Sequence, residues 1–424
     1  MDMGRSVLGI AALLLLAFAI SDNRRMIRPR TVLAALATQI GIGALILFVP
    51  AGRAVLSAMA IGVNHVISYG NAGIGFVFGA LVKDHMMEVF GGEGYVFGLR
   101  VLPMIIFVTA LVSVLYHLGI MRWIVLVLGT LFEKLLGVSR LESFSAVTTI
   151  FVGQSEMPAV VKPFVPKMTG PELFAVMASG MSAVTGSVLA GYAGLGVKME
   201  YLIAASFMAI PGGLLFAKIA CPTTGPSEIV IDNLSFDEKR ATNVIEAAGM
   251  GASVGTKIAV AVGAMLIAYI GLIALLNGIV GGVGGWVGMP DLSLELILGK
   301  LFSPVAYLIG VPWDQASLAG SFIGQKMILN EFVAYINLSP YIKDAASIAA
   351  SGGQVLDPRS LAIVSFALCG FANFSSIAIL VGGFGAIAPE RRSEVARYGM
   401  RVVACATLSN LMSANIAGFF LSLT

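Results

Sequence analysis

Long apolar runs separated by short charged segments dominate this chain. A run of about 20 apolar residues has the length of an α-helix that crosses a lipid bilayer. Such runs lie at about residues 4–21, 31–50, 101–119, 171–196, 199–218, 255–280, 359–386 and 399–422. Segments 54–70, 120–138 and 291–301 are amphipathic, which is typical of helices that lie in the membrane interface. The pattern predicts an all-α polytopic membrane protein with eight transmembrane helices and additional interfacial helices.

Two further apolar segments carry polar residues at their centres. Residues 141–168 contain Gly-Gln-Ser-Glu at 153–156, and residues 302–343 contain Asn-Glu at 330–331. A carboxylate at membrane depth is costly, so each glutamate is a candidate functional residue. We interpret each segment as a re-entrant hairpin whose polar turn lines a cavity. Two such hairpins are typical of inverted repeats, in which they open from opposite sides of the membrane.

The basic residues indicate an orientation in the membrane. They follow the first apolar run, at 24–30, which predicts an uncleaved first helix and not a signal peptide. Segments 122–167, 219–254 and 387–398 are also rich in basic residues, whereas loops such as 281–300 are not. The positive-inside rule then predicts that both termini lie outside and that the first hairpin opens from the cytoplasm. The second hairpin would open from the outside.

Composition and motifs narrow the function further. Only 12% of the residues are charged, against about 25% in soluble domains. The small net charge of +3 gives no reason to expect nucleic acid as a partner. Three cysteines and three histidines are scattered, unlike the clustered ligands of a zinc site. The chain contains no GxSxG, HExxH or Walker glycine loop, so we expect no enzyme, no catalytic residues and no cofactor.

The polar residues suit a neutral solute that carries a sugar. The turn 153–156 offers an amide, a hydroxyl and a carboxylate, which match the donors and acceptors of a heterocyclic base better than a phosphate. Glu331 could accept two hydrogen bonds from vicinal sugar hydroxyls. The alternatives are that the turn satisfies its own backbone, and that Glu331 forms a structural ion pair with Lys326. Asn373 and Ser376 lie on one helical face, where they could also hold helices together.

These motifs resemble those of the concentrative nucleoside transporters, over essentially the whole chain. The matching stretches are YGNAG at 69–73, FVFG at 76–79, GQSE at 153–156, PFVPKM at 163–168, ELFAVM at 172–177, NEFVAY at 330–335 and GFAN at 370–373. The resemblance implies a bacterial member with eight spans that forms homotrimers. Each protomer would have a scaffold part and a mobile transport part that carries substrate across the membrane like an elevator.

The resemblance also implies a substrate-binding set. By motif match, the set comprises Gln154, Ser155, Glu156 and Val188 around the base, Glu331, Asn373 and Ser376 around the ribose, and Phe371 against the nucleoside. The domains implied are residues 1–138 as mainly scaffold, 139–218 as transport domain with the first hairpin, 219–254 as a cytoplasmic loop, 255–301 as scaffold, and 302–424 as transport domain with the second hairpin.

The resemblance leaves the coupling ion open. Sodium-coupled relatives have an asparagine and a serine at two positions where this chain has Thr149 and Ala183. The candidate sodium site would consist of backbone carbonyls at Thr149, Val152 and Val184. Alternatively, Glu156 or Glu331 could carry a proton when partly desolvated. Sodium and proton coupling therefore both remain open.

The expected function is cation-coupled symport of nucleosides into the cell. The expected partners are a nucleoside substrate, the lipid bilayer of the bacterial inner membrane, and two further copies in a homotrimer. One alternative is a permease of the same fold restricted to a modified or purine nucleoside. The other is an uncoupled channel, which would be expected to have a ring of charges or carbonyls along an open pore.

Overall fold

The structure is a computed structural model. It describes residues 3–83, 85–89, 96–223, 225, 227, 229, 241–286, 288–289 and 291–423. Helices are the main regular elements in this part of the chain. The first seven α-helices are α1 (Met3–Ala19), α2 (Pro29–Leu47), α3 (Pro50–Phe78), α4 (His85–Val89), α5 (Phe97–Arg100), α6 (Leu102–His117) and α7 (Ile120–Leu136). They are followed by α8 (Arg140–Val152), α9 (Met157–Val161), α10 (Gly170–Ser182), α11 (Gly186–Gly194) and α12 (Met199–Ala220). The remaining helices are α13 (Val244–Trp286), α14 (Leu294–Leu308), α15 (Trp313–Ile328), α16 (Glu331–Lys343), α17 (Ala345–Ala350), α18 (Pro358–Leu368), α19 (Phe374–Ile387) and α20 (Arg392–Phe420).

Each predicted apolar run coincides with a helix or with a pair of helices. Among the described residues, seven helices are long and apolar enough to cross a membrane, or eight if the pair α14–α15, bent by 115°, is one span. One of the seven covers Pro50–Val82, which includes the predicted interfacial segment 54–70. The helix α13 begins at Val244, inside the segment predicted as a loop, because its apolar, alanine-rich start continues the helix. Residues 230–240 of that loop lie outside the described part.

Each predicted re-entrant segment contains a pair of helices joined at the polar turn, although residues 302–308 of the second segment belong to α14 and the hairpin itself begins with α15. The turn 153–156 connects α8 with α9. Leu329 and Asn330 connect α15 with α16, and Glu331 is the first residue of α16. The helix order from α7 to α12, with one hairpin, one broken span and one continuous helix, recurs from α14 to α20. This recurrence agrees with the predicted inverted repeats.

Two predicted spans are broken near their centres. The fourth consists of α10 and α11, separated by residues 183–185, and the seventh consists of α18 and α19, separated by residues 369–373. Thr185 caps α11 by accepting a hydrogen bond from the backbone of Val188. Asn373 caps α19 in the same way. A residue that favours the N-cap therefore restarts the helix after each break.

The helices α8 and α10 both begin with a reciprocal capping box. Ser139 Oγ accepts from the Glu142 amide while the Glu142 carboxylate accepts from the Ser139 amide, and Thr169 pairs with Glu172 in the same manner. The motif satisfies amide groups that have no partner in the first turn of a helix. Glu142 also accepts a hydrogen bond from Lys218 of α12. This ion pair connects the first hairpin to α12.

The helices differ greatly in how much of their surface other helices cover. In the apolar stretch of α10–α11, and in that of α12, 94% of the residues are buried. In the apolar stretch of α13, only 22% are buried. The helix α12 packs against α2, α10 and α20. All three cysteines, Cys221, Cys369 and Cys405, are buried in this core. The molecule thus consists of a well-covered inner bundle and outer helices with exposed apolar faces.

The outer helices α6 and α13 form a close pair. A Cβ atom added to Gly251 would lie 2.7 Å from the Cα of Ala110, and one added to Gly255 would lie 2.7 Å from the Cα of Ile106. Small residues four positions apart allow helix backbones to approach in a membrane, where packing rather than the hydrophobic effect holds helices together. The two glycines therefore explain why α6 and α13 stay in contact along this face.

Candidate functional site

The two polar turns and the two broken spans meet at one cavity of about 320 Å³. Its walls contain the predicted residues Gln154, Ser155, Val188, Glu331, Phe371, Asn373 and Ser376, together with Val152, Thr185, Asn330, Phe332 and several residues of α13. Residues more than 200 positions apart in the chain thus lie side by side. The cavity lies between the inner bundle and α13, where Lys257, Ile258 and Met265 complete its wall.

Glu331 is fixed in this cavity by two donors from different helices. Its Oε1 atom accepts a hydrogen bond from the Tyr192 hydroxyl at 3.0 Å, and its Oε2 atom accepts one from Asn373 Nδ2 at 3.0 Å. Because Glu331 is the first residue of α16, its charge lies at the positive end of that helix. An ionised carboxylate has about four acceptor positions, so two remain for a ligand. The side chain is oriented and retains acceptor capacity.

Tyr192 is a site residue that the sequence reasoning missed. It lies in α11, inside an apolar run, and is completely buried. The only signal in the sequence is that a buried tyrosine hydroxyl usually has a hydrogen-bond partner. Nothing local indicates that this partner is Glu331, which is 139 residues away.

Gln154 has an acceptor atom without a partner. Its Nε2 atom donates to Ser376 Oγ at 2.7 Å, and Ser376 Oγ donates to the backbone oxygen of Phe371 at 2.6 Å. Since Ser376 uses its own proton for Phe371, it must accept from Gln154, which fixes the orientation of the amide. The Oε1 atom of Gln154 is buried and has no hydrogen-bond partner among the described residues. A buried acceptor of this kind is unfavourable unless a ligand or water donates to it.

Glu156 lines a second cavity that adjoins the first, whereas the other predicted binding residues line the first. The second cavity has a volume of about 360 Å³, and its walls include Glu156, Tyr116 and Lys162. Val152 and Ile258 line both cavities, so the two share a wall. The first hairpin therefore presents its amide to one cavity and its carboxylate to the next.

The candidate sodium site offers few side-chain oxygens. Thr149 is fully buried, and its hydroxyl donates to the backbone oxygen of Ser145 at 2.7 Å. Val184 is also fully buried, whereas Val152 reaches both cavities. Ala183 has no side-chain oxygen to contribute. Across the described part of the chain, no group of three or more His, Cys, Asp or Glu residues is placed to hold a metal ion.

Lys326 does not provide the direct ion pair that was the alternative explanation for Glu331. Its ammonium group donates to the backbone oxygen of Ala367 at 2.7 Å and to Asn410 Oδ1 at 2.6 Å. In the chain, Lys326 lies five residues before Glu331, in the last turns of α15. Glu331 therefore has a nearby positive charge but keeps its own hydrogen-bonding positions for Tyr192, Asn373 and a ligand.

Comparison with known proteins identifies the family. The family described as Na+ dependent nucleoside transporter matches at residues 8–81 with its N-terminal model and at residues 201–418 with its C-terminal model. The model described as nucleoside recognition, or Gate, matches residues 98–199. Together these matches cover most of the chain.

Relatives match over the full length. NupX of Escherichia coli is 53% identical over 423 residues, which is 100% of both proteins. The nucleoside permease NupC of Helicobacter pylori is 47% identical, with 99% of this chain and 98% of the permease covered. A solved structure of CNTnw in an inward-facing substrate-bound state is 52% identical with a TM-score of 0.94, covering 100% of this chain and 99% of that one. The chain is therefore a multi-pass inner-membrane protein and belongs to the concentrative nucleoside transporter family, whose members are transporters and not enzymes.

Proposed function

We propose that this nucleoside transporter imports its substrate by symport with a cation, through an elevator movement of the inner bundle. The observation that carries the proposal is the pairing of two groups in one cavity. The carboxylate of Glu331 is held by Tyr192 and Asn373, and the Oε1 atom of Gln154 is buried without a partner. A nucleoside has sugar hydroxyls that donate to the first group and a base that can donate to the second.

The proposed base recognition depends on the fixed amide of Gln154. Because its Nε2 atom is bound to Ser376, the end of the side chain that remains for a ligand is the acceptor Oε1 and not the donor. A base with an N–H group on its hydrogen-bonding edge, such as uracil, satisfies this acceptor. The exposed hydroxyl of Ser155 can add a second contact of either polarity. Val188 and Phe371 provide apolar surface beside the base.

The proposed ribose recognition depends on Glu331. The 2′ and 3′ hydroxyls are vicinal, so both can donate to one carboxylate in charge-assisted hydrogen bonds. These bonds are stronger than those between neutral groups, and a 2′-deoxy nucleoside loses one of them. The expected order of affinity is therefore a ribonucleoside first, a deoxynucleoside second and a free base last. Asn373 holds the carboxylate of Glu331 in place, and Ser376 holds the amide of Gln154 in place.

For the coupling ion we favour the proton over sodium. The Thr149 hydroxyl already donates to Ser145, and Ala183 provides no oxygen, which leaves mainly backbone carbonyls for a sodium ion. Glu156, in contrast, lines a cavity of its own on the side that the sequence predicts to be cytoplasmic. A partly buried carboxylate there could take up a proton on one side of the membrane and release it on the other. This assigns Glu156 to coupling instead of base recognition.

Transport into proteoliposomes tests the coupling. We expect an inward proton gradient without sodium to accumulate uridine above equilibrium, and a sodium gradient at equal pH to have no such effect. Glu156→Gln should lose the accumulation but still exchange uridine across the membrane. Accumulation driven by sodium alone would contradict proton coupling, and uptake that never exceeds equilibrium would favour the channel. Competition by a panel of nucleosides and free bases distinguishes a broad nucleoside transporter from one restricted to purine or modified nucleosides.

The contribution of Tyr192 can be measured with a matched pair of variants. Tyr192→Phe removes one donor to Glu331, and we expect the uridine KM to rise by about tenfold, the size of one hydrogen bond to a charged group. Tyr335→Phe is the control, since Tyr335 is also fully buried, stacks on Tyr192 with ring centroids 4.4 Å apart, and donates to Ser365. The control should keep its KM. Equal KM values in both variants would contradict the role of Tyr192.

The elevator and the homotrimer are also proposals. We assign residues 139–218 and 302–424 to the moving part and residues 1–138 and 255–301 to the scaffold. The scaffold would be centred on the close pair α6–α13, because α13 lines both cavities and α6 lines the one that contains Glu156, while the remaining walls belong to the proposed moving part. Exposed apolar side chains on α3 and α13, such as Phe76 and Ile267, are available for lipid or for neighbouring protomers.

A further inference from the structure

Lys326 is a buried lysine that the proposed binding and coupling steps do not use. It lies in the last turns of α15, only 3% of its surface is exposed, and its ammonium group is deep within the inner bundle. Its two hydrogen bonds go to the backbone oxygen of Ala367 and to Asn410 Oδ1, and neither of these residues lines the cavity. A buried charge is unfavourable unless its surroundings compensate for it. The surroundings of this ammonium group therefore indicate its role.

Asn410 joins Lys326 to both broken spans. Its Oδ1 atom accepts from Lys326, and its Nδ2 atom donates to the backbone oxygens of Ser182 at 2.7 Å and Cys369 at 3.1 Å. Ser182 is the last residue of α10, and Cys369 follows the last residue of α18. A Cβ atom on Gly370 would lie 2.2 Å from Asn410 Oδ1, so the asparagine packs directly on the backbone of the second break.

The ammonium group lies where broken helices concentrate negative charge. A helix ends in carbonyl groups without intrahelical partners, which amount to a partial negative charge at its C-terminus. In transporters with discontinuous helices, such carbonyl ends coordinate the coupling cation. Here Lys326 donates directly to a carbonyl of the last turn of α18 and, through Asn410, contacts the ends of α10 and α18. It also lies five residues before Glu331 in the chain.

The first repeat has no corresponding charge. The helix α8 occupies the place in the first hairpin that α15 occupies in the second, and its one basic residue, Arg140, lies at its start. Near its end lies Thr149, whose neutral hydroxyl donates to the backbone oxygen of Ser145 in the same helix. The two repeats thus differ in one respect. At the break of the second repeat, the chain itself supplies a cation, the ammonium group of Lys326. At the break of the first repeat, it supplies none.

We propose that Lys326 is a tethered cation at the break between α18 and α19, in the place that a bound monovalent cation would otherwise fill. As a positioning residue it holds the carbonyl end of α18 and compensates for the charge of Glu331, so that the ribose-binding half of the cavity is formed without any mobile ion. The inference rests on the proposed binding site. It accounts for the hydrogen bonds of Lys326, for the position of Asn410 and for the charge difference between the repeats.

Removing the tethered charge should create a need for a free one. Lys326→Ala leaves an empty, carbonyl-lined space, and we expect its uridine affinity to fall by about tenfold or more in choline chloride. Methylammonium chloride at the same ionic strength should restore the affinity in a saturable manner. Lys326→Met fills the space without charge, so it should lose affinity and gain nothing from methylammonium. Wild-type protein and Lys300→Ala, which removes an exposed lysine of α14, should not respond to methylammonium.

The measurements are uridine binding and thermal stability of the purified full-length variants, each in choline, sodium and methylammonium chloride. Stability is measured without uridine, so stabilisation of Lys326→Ala by methylammonium tests the tethered cation even if the proposed uridine site is wrong. Wild-type affinity of Lys326→Met in choline would overturn the proposal. So would a Lys326→Ala protein whose affinity and stability do not respond to methylammonium. Failure of that variant to fold in all three salts would count against the proposal in the same way.

Discussion

Glu331→Gln should reduce the initial rate of uridine uptake by about 100-fold or more. The carboxylate is the one group in the cavity that can accept both ribose hydroxyls in charge-assisted hydrogen bonds. A hydrogen bond to a charged group contributes about 1.5–3 kcal/mol, so losing two of them costs at least about 3 kcal/mol. About 1.4 kcal/mol corresponds to a factor of ten in affinity. Glutamine has almost the same shape, so the loss reports the missing charge.

Two controls make this result specific. Glu390→Gln changes an exposed glutamate outside the cavity and should keep wild-type uptake. In competition with labelled uridine, wild-type protein should prefer uridine over 2′-deoxyuridine, and any residual activity of Glu331→Gln should lose that preference. Uptake by Glu331→Gln at the wild-type rate and at equal expression would contradict the assignment of Glu331 to the ribose.

Gly153→Ala is expected to disable the first hairpin. Gly153 has φ 86° and ψ 171°, a conformation that is essentially restricted to glycine and costs other residues about 1–3 kcal/mol. In addition, a Cβ atom would lie 2.2 Å from Thr185 Cγ2, so the turn would have to move away from the start of α11. Because Gln154 follows directly, its hydrogen bond to Ser376 would be displaced. We expect uridine uptake to fall at least tenfold and the melting temperature of the purified protein to decrease.

The neighbouring glycine provides a matched control. A Cβ atom on Gly186 would meet no heavy atom within 4 Å, so Gly186→Ala should be tolerated. The double variant Gly153→Ala with Thr185→Ser removes the clashing methyl group while keeping the capping hydroxyl, and it should recover part of the lost uptake. If Gly153→Ala and Gly186→Ala have the same uptake and melting temperature, the close contact between the hairpin and α11 is not required.

The sequence predicted the parts of the site that depend on the energy of polar groups in lipid. A glutamate at membrane depth is costly wherever it lies, so Glu156 and Glu331 mark their hairpins without knowledge of any contact. Asn373 and Ser376 were recognised as a polar pair inside an apolar run, and the structure places a helix break directly before Ser376's helix, with Asn373 as its N-cap. The order of apolar runs and hairpins was sufficient to predict the inverted repeats, since that order is a property of the chain.

The remaining features depend on three-dimensional packing. Glu156 lines the cavity next to the one that Gln154 lines, and residue types alone do not determine which cavity each side chain enters. The bond between Tyr192 and Glu331 joins the two repeats, and no local pattern connects such distant positions. Lys326 could be recognised as a buried counter-charge, but its link to both helix ends requires the position of Asn410 in the last helix.

The burial of the native cysteines has a practical consequence for following the transport movement. Thiols react as thiolates and need access to reagent, and Cys221, Cys369 and Cys405 are all enclosed by the inner bundle. Spectroscopic labels can therefore be attached to cysteines introduced on exposed faces of α13 and of the second hairpin without first replacing the native ones. Distances between such probes would report directly how far one body travels past the other during a transport cycle.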